Sequence, residues 1–218
     1  MRQRAMILLA VAAVIGVVVM SVRVARLSAK VVAAAPAGAP AGAGLSAERL
    51  GVLLAVEDPR FYEHHGIDLR TPGSGWTTIT QGLVKIHGYG GFEPGFAHWR
   101  KIEQSMVALV VDLRIPKDRQ LAMFLDAAYL GTWEGREVRG FEAAAVTYFE
   151  IPFDRLGDDR FLSLVAMLPA PNDLHVLGRS ERNAERVRRI ERMLAGQCRP
   201  AGWRDVYYET CASGVAAR

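Results

Sequence analysis

From Ala5 to Val22 the chain reads AMILLAVAAVIGVVVMSV, 18 residues without a charge. As a helix rising ~1.5 Å per residue, this run crosses most of the hydrocarbon of a bilayer. It commits one end of the chain to lipid and leaves the rest to fold outside it. Arg2 and Arg4 precede the run, and Arg23, Arg26 and Lys30 follow. Basic residues therefore flank both ends, and the positive-inside rule leaves the orientation open. A cleaved signal peptide is the rival reading, with AAAPA near Ala33 as a small-residue cleavage site. The length of the run, and the basic residues between it and that site, favour an uncleaved single-span anchor over residues 1–30.

Residues 31–44 are Ala, Pro and Gly without periodicity, a composition that buries no core and serves as a semi-extended linker. A domain is expected over residues 45–197, with a C-terminal tail at 198–218, because 218 residues do not comfortably hold two domains beside an anchor. LSAERLGVLLAVED reads as a helix capped by Ser46. HWRKIEQSMVALVVDLRIP reads as a buried helix with Ile102, Met106, Leu109 and Leu113 on one face, stopped at Pro116. KDRQLAMFLDAAYLG is a further helix ended by Gly131, followed by RGFEAAAVTYFE and RFLSLVAMLPAP. In ERNAERVRRIERMLAG, Ala184, Val187, Ile190 and Leu194 point inward and the arginines outward. Nothing alternates cleanly over six residues, so the domain is expected to be mainly α-helical.

Cys198 and Cys211 stand in no metal-binding spacing; a disulfide in an exported domain and two buried thiols are both open readings. The net charge of +4 and pI near 9.3 fit contact with anionic lipid or phosphate, and there is no nucleotide-binding glycine fingerprint. No nucleic-acid partner is expected.

The densest chemistry lies in EDPRFYEHHG, Glu57 to Gly66, with three carboxylates and two imidazoles directly after an apolar helix. An isolated acidic pair after a helix is more often a solvated turn than a site. Here, however, four stretches in order resemble glycosyltransferase family 51. These are the peptidoglycan polymerases of bifunctional penicillin-binding proteins and of monofunctional membrane-anchored forms. EDPRFYEHHG matches the family's EDxxFxxHxG, GWTTITQGLVK is similar to GxSTxTQQxxK, and RKIEQ resembles RKxxE. KDRQLAMFLDAAYLG and GFEAAAVTYF resemble KxxILExYLN and GxxAAxxYF.

The resemblance implies a mostly helical, lysozyme-like fold on the outer side of the cytoplasmic membrane. It also implies the joining of lipid II to a lipid-linked glycan strand, with undecaprenyl pyrophosphate leaving. That reaction needs a base at the acceptor hydroxyl, cations at the pyrophosphate and an approach at membrane level. By resemblance Glu57 is the base, Asp58 and His64 shape its loop, and Phe61 packs. Glu63 and His65 read as surface residues. Thr78, Lys85, Arg100 and Lys101 match donor-site positions, and Arg186 joins them from the last helix. The glycine- and aromatic-rich loop between Ile86 and Trp99 is read either as dipping into the lipid interface or as a mobile loop.

The chain departs from the family where Gln104 stands at the second catalytic glutamate. Glu103, one residue early, should face elsewhere on a helix that turns ~100° per residue. Gly82 replaces a glutamine, Thr77 a serine and Asp126 an asparagine, and YFEIP differs from the family's YFGK. Gln104 is therefore expected at the catalytic centre, with activity reduced by the lost carboxylate. A lipid II or glycan-binding module is the alternative, and a lytic enzyme on the same fold a weaker third. No cofactor is required by these residues, and a divalent metal at the pyrophosphate stays open. No penicillin-binding domain follows, so partner transpeptidases are expected to do the cross-linking.

Overall fold

A computed structural model of the chain describes residues 2–36, 38, 44–75, 77–90 and 98–212. Helix α1 (Arg2–Ala33) is continuous and exposed from Arg2 to Val19. Its buried positions, Met20, Val24, Ser28 and Val31, recur every three or four residues and so share one face. The helix packs against α4 (His98–Arg114) and a π-helical turn at Val84–Gly88. The uncharged run is thus a bare helix long and apolar enough to cross a membrane, and its C-terminal end is docked on the domain. Residues 31–33, expected in the linker, are helical, because Val31 is fully buried against that domain. Residues 37 and 39–43 of the expected linker lie outside the described residues, as do residues 91–97 of the glycine-rich loop.

Helix α2 (Ala47–Glu57) begins as its sequence predicts, with the Ser46 hydroxyl accepting from the Arg49 amide at 3.2 Å. Leu53 and Val56 anchor its buried side, and the helix stops at Glu57. Helix α3 (Ile79–Leu83) is held by a capping box between Thr78 and Gln81 and runs directly into the π turn.

Helix α4 buries the side opposite to the one its hydrophobic pattern indicates. Glu103, Gln104, Val107, Ala108 and Val111 are enclosed, whereas Ile102, Met106, Leu109 and Leu113 are exposed. The polar pair is tolerated inside because α1 and α3 supply it with partners, described below. The outward stripe keeps its apolar character on a helix that packs against the membrane-length α1.

Helix α5 (Lys117–Ala127) ends before Gly131, and an antiparallel hairpin takes over, β1 (Tyr129–Trp133) with β2 (Arg136–Arg139). Strands this short leave too few alternations to register as a period-two pattern. Gly140 then turns the chain into α6 (Phe141–Phe149). Its φ is 83°, and an added Cβ would stand 2.3 Å from the Asp126 carbonyl oxygen, so only glycine fits. Helices α7 (Asp158–Met167) and α8 (Ser180–Leu194) complete the mainly helical domain.

One core joins Leu53, Phe61, Leu83, Phe141, Phe161 and Ile190, each contributing about 1.5–3 kcal/mol on burial. Tyr208 and Cys211 belong to the same core, and Cys211 is disulfide-bonded to Cys198. The segment expected as a tail is therefore folded onto the domain as far as it is described.

Candidate active site

A cleft of about 690 Å³ opens between the end of α2, the α3 segment, the hairpin and α8. Glu57 lines it because α2 stops there, leaving the side chain at the cleft wall and the next residue inside the protein. Burial pushes the Glu57 carboxyl up to about 7; the Arg186 charge works against that shift and the neighbouring Asp58 adds to it. A carboxyl of this kind exchanges protons near neutrality, which suits a general base or acid.

Asp58 faces the other way. Its buried carboxylate accepts from the Ile79 amide at 3.0 Å and meets His64 Nε2 at 2.8 Å. Asp58 thereby fixes the start of α3 relative to the end of α2, and neither Asp58 nor His64 lines the cleft. The Thr78 hydroxyl donates to the Gly66 carbonyl at 2.7 Å and accepts from the Gln81 amide, so this cleft-lining residue has its oxygen occupied by the scaffold. Phe61 is fully buried, and Glu63 and His65 are exposed.

Lys85, on the π turn, lines the cleft with Nζ 3.3 Å from Thr77 Oγ1. Lys101 Nζ, from α4, lies 3.4 Å from the same hydroxyl and 3.2 Å from Gln81 Oε1. Burial lowers the Lys85 pKa, and burial together with the Lys85 charge pushes Lys101 down to about 8. Two ammonium groups converging on one hydroxyl form a place where a polyanion gains affinity and restores both charges. Among the described residues no group of three or more His, Cys, Asp or Glu could hold a metal ion, and the cationic charge at this end comes from lysines.

Arg100, Lys101 and Gln104 do not line the cleft. The Arg100 guanidinium lies 5.9 Å from the centre of the Tyr89 ring. Gln104 is fully buried, its Nε2 donating to the Gln81 carbonyl at 2.7 Å and its Oε1 left without a partner. The position expected at the catalytic centre thus holds α4 to α3. Glu103 does face elsewhere, as the helical turn requires: its carboxylate pairs with Arg23 of α1 and accepts from the Tyr89 hydroxyl at 3.1 Å.

Arg186 lines the cleft near Glu57, buried and with a guanidinium N–H donated to the Val206 carbonyl. The sequence did not point to the opposite wall. Tyr129, Glu137 and Arg139 come from the hairpin, and Asn172 accepts from the Thr132 amide at 2.8 Å through Oδ1. The paired strand tips that bring Glu137 and Arg139 there carry no detectable period.

Residues 43–195 match the profile of a family described as Transglycosylase. Penicillin-binding protein 1B of Escherichia coli (strain K12) is 36% identical over 129 residues, covering 53% of this chain and 15% of that protein. A biosynthetic peptidoglycan transglycosylase of Alcanivorax borkumensis is 30% identical over 156 residues, covering 66% of this chain and 61% of that protein. Penicillin-binding protein 1F of Bacillus subtilis (strain 168) is 31% identical over 157 residues, 66% of this chain and 21% of that protein. The chain therefore spans less than two thirds of the length of each of these relatives.

Proposed function

Because the chain belongs to the transglycosylase family, we propose that it is a peptidoglycan glycosyltransferase that polymerises lipid II and releases undecaprenyl pyrophosphate. The observation that carries the reading is one cleft lined by a proton acceptor, Glu57, and an ammonium group, Lys85, with Lys101 converging from behind on the same Thr77 hydroxyl as Lys85. Glu57 takes the proton of the acceptor sugar hydroxyl as its oxygen bonds to the donor's anomeric carbon. The bond from that carbon to the pyrophosphate breaks on the opposite side, with inversion. Its electron pair leaves with the pyrophosphate, whose growing charge Lys85 and Lys101 stabilise. Arg186 keeps enough carboxylate at Glu57 for the base to act near neutral pH.

A glycan-binding module without turnover is the competing reading, and the surroundings of Gln104 argue against it. Gln104 is packed between α3 and α4 outside the cleft, so the absence of a carboxylate there leaves the Glu57 chemistry intact.

The substrate is lipid-linked, and the anchor supports its capture at membrane level. On this reading α1 spans the cytoplasmic membrane once and the domain stands on its outer face. The exposed stripe of Trp99, Ile102, Met106, Leu109 and Leu113 then meets the lipid interface. Penicillin-binding transpeptidases, which cross-link glycan strands, are its proposed partners. Radiolabelled lipid II given to the full-length protein in detergent tests the function. Lipid-linked polymer supports it, and binding without polymer or release of soluble fragments from preformed glycan rejects it.

A further inference from the structure

The segment that follows α8 lies beyond residues 43–195, the part that matches the family, yet it builds part of the cleft. It is closed on itself. Cys198 is bonded to Cys211, and the Asp205 carboxylate accepts from the Ala201 and Glu209 amides at 3.1 and 2.7 Å and from the Thr210 hydroxyl at 2.7 Å. The Arg199 carbonyl lies 2.9 Å from the same Thr210 oxygen and shares its single proton with Asp205. A loop fixed by a covalent bond and a saturated carboxylate behaves as one rigid piece.

This piece contacts the catalytic wall at three points. The buried Tyr208 hydroxyl donates at 2.8 Å to the carbonyl of Val56, the residue before Glu57. Gly73, which lines the cleft, donates its amide to the Gly202 carbonyl at 3.0 Å. A Cβ on Gly73 would lie 2.7 Å from both Pro200 and Tyr208, so the cleft wall at Gly73 and the cap are in direct contact. The third contact is with Arg186, which donates to the Val206 carbonyl while its guanidinium lies 5.0 Å from the Tyr208 ring centre and 5.7 Å from that of Tyr207. Tyr208 itself sits at φ 53°, a left-handed conformation that a tyrosine keeps only when its surroundings enforce it.

We propose that this disulfide-closed cap, residues 198–211, is a positioning element of the active site: it fixes the Arg186 guanidinium in the cleft that Glu57 also lines, from where its charge favours the carboxylate form of the base. The carbonyl of Val206 and the rings of Tyr207 and Tyr208 fix the guanidinium from one side, and Tyr208 ties the same cap to the end of α2. The charged groups around Glu57 are few. Asp58 follows it just past the end of α2, and Arg186 from α8 and Tyr208 from the cap act on it electrostatically. Lys85 from the π turn and Glu137 and Arg139 from β2 line the same cleft. Of these, Arg186 is the one cation whose charge opposes the burial of the carboxylate.

The catalytic consequence rests on Glu57 being the base, but the positioning itself can be read without turnover. Carbodiimide labels protonated carboxyls, so mass spectrometry of Glu57 labelling against pH, on full-length protein in detergent, gives its titration midpoint. With the cap intact, Arg186→Gln raises that midpoint by about 1 pH unit. The same substitution is then made in two opened-cap backgrounds, Cys198→Ser with Cys211→Ser, and Tyr208→Phe. Comparing the Arg186→Gln shift between backgrounds cancels any change in Glu57 hydration that opening the cap brings by itself. The expected result is a shift that shrinks at least twofold in either background, with the acid limb of the polymerisation profile moving in parallel. An unchanged Arg186→Gln shift in a folded opened-cap protein overturns the proposal. If labelling shows the coupling and no variant or wild type polymerises lipid II, the positioning stands and the enzyme reading falls.

Discussion

At the scale of single residues, Glu57 carries the sharpest consequences. Because its folded pKa of about 7 lies above the ordinary 4.5, the proton is bound more tightly in the folded state. That contribution to stability is full below 4.5 and is lost as pH rises through 7. Glu57→Gln, neutral throughout, should therefore be more stable than wild type by about 1–3 kcal/mol near pH 8 and equal to it near pH 4. Denaturant unfolding at the two pH values measures the difference. The acid limb of kcat/KM should fall near neutrality in wild type, since only the carboxylate accepts the proton. Gln104 gives a second prediction. Its amide donates to a carbonyl inside the protein, so Gln104→Glu would turn a carboxylate toward that oxygen and cost about 1–3 kcal/mol. No gain in lipid II turnover should accompany the loss, and a faster, equally stable variant would restore Gln104 to the catalytic centre. The sequence pointed to Glu57 and Lys85 through the spacing of their motifs, and both line the cleft. It left Gln104 misread, because a motif records which residue stands at a position and not which wall the helix turns it toward.

At the scale of elements, α4 decides how the domain is joined to α1. The Arg23–Glu103 pair, with the Tyr89 hydroxyl on the same carboxylate, ties α1 to both α4 and the segment after the π turn. Helix α4 carries Lys101, and the π turn directly before Tyr89 carries Lys85. Arg23 is half exposed while Glu103 is fully enclosed, so removing the arginine strands a buried carboxylate. Arg23→Ala should cost about 1–3 kcal/mol, and Glu103→Gln in the same chain should recover part of it. A double-mutant cycle on thermal unfolding gives the coupling, and strictly additive losses would mean the pair contributes nothing. Helix positions were legible from capping and period, as Ser46 and Pro116 illustrate. The buried side of α4 was not, because its apolar residues run almost all the way round and the polar pair at Glu103 and Gln104 was resolved only by partners from α1 and α3. The hairpin was hidden by its brevity, although Gly140 at its end admits no other residue.

At the scale of the whole molecule, the apolar helix α1, the domain and the disulfide-closed cap form a continuous structure in which the cleft lies among α2, α3, the hairpin and α8. The uncharged run and the mainly helical domain could be read directly, since length and composition alone define them. The cap could not, because its role depends on contacts between residues more than a hundred positions apart, such as Tyr208 with Val56. All of these parts converge on one claim, that Glu57 acts as the base of lipid II polymerisation in a cleft anchored at the membrane. The most direct measurement compares full-length wild type and Glu57→Gln on radiolabelled lipid II in detergent, following polymer and bound substrate together. The account predicts lipid-linked glycan strands from wild type, and from the variant substrate binding with polymer reduced at least about a hundredfold. Comparable polymer from both proteins, or none from wild type while it still binds lipid II, would contradict it.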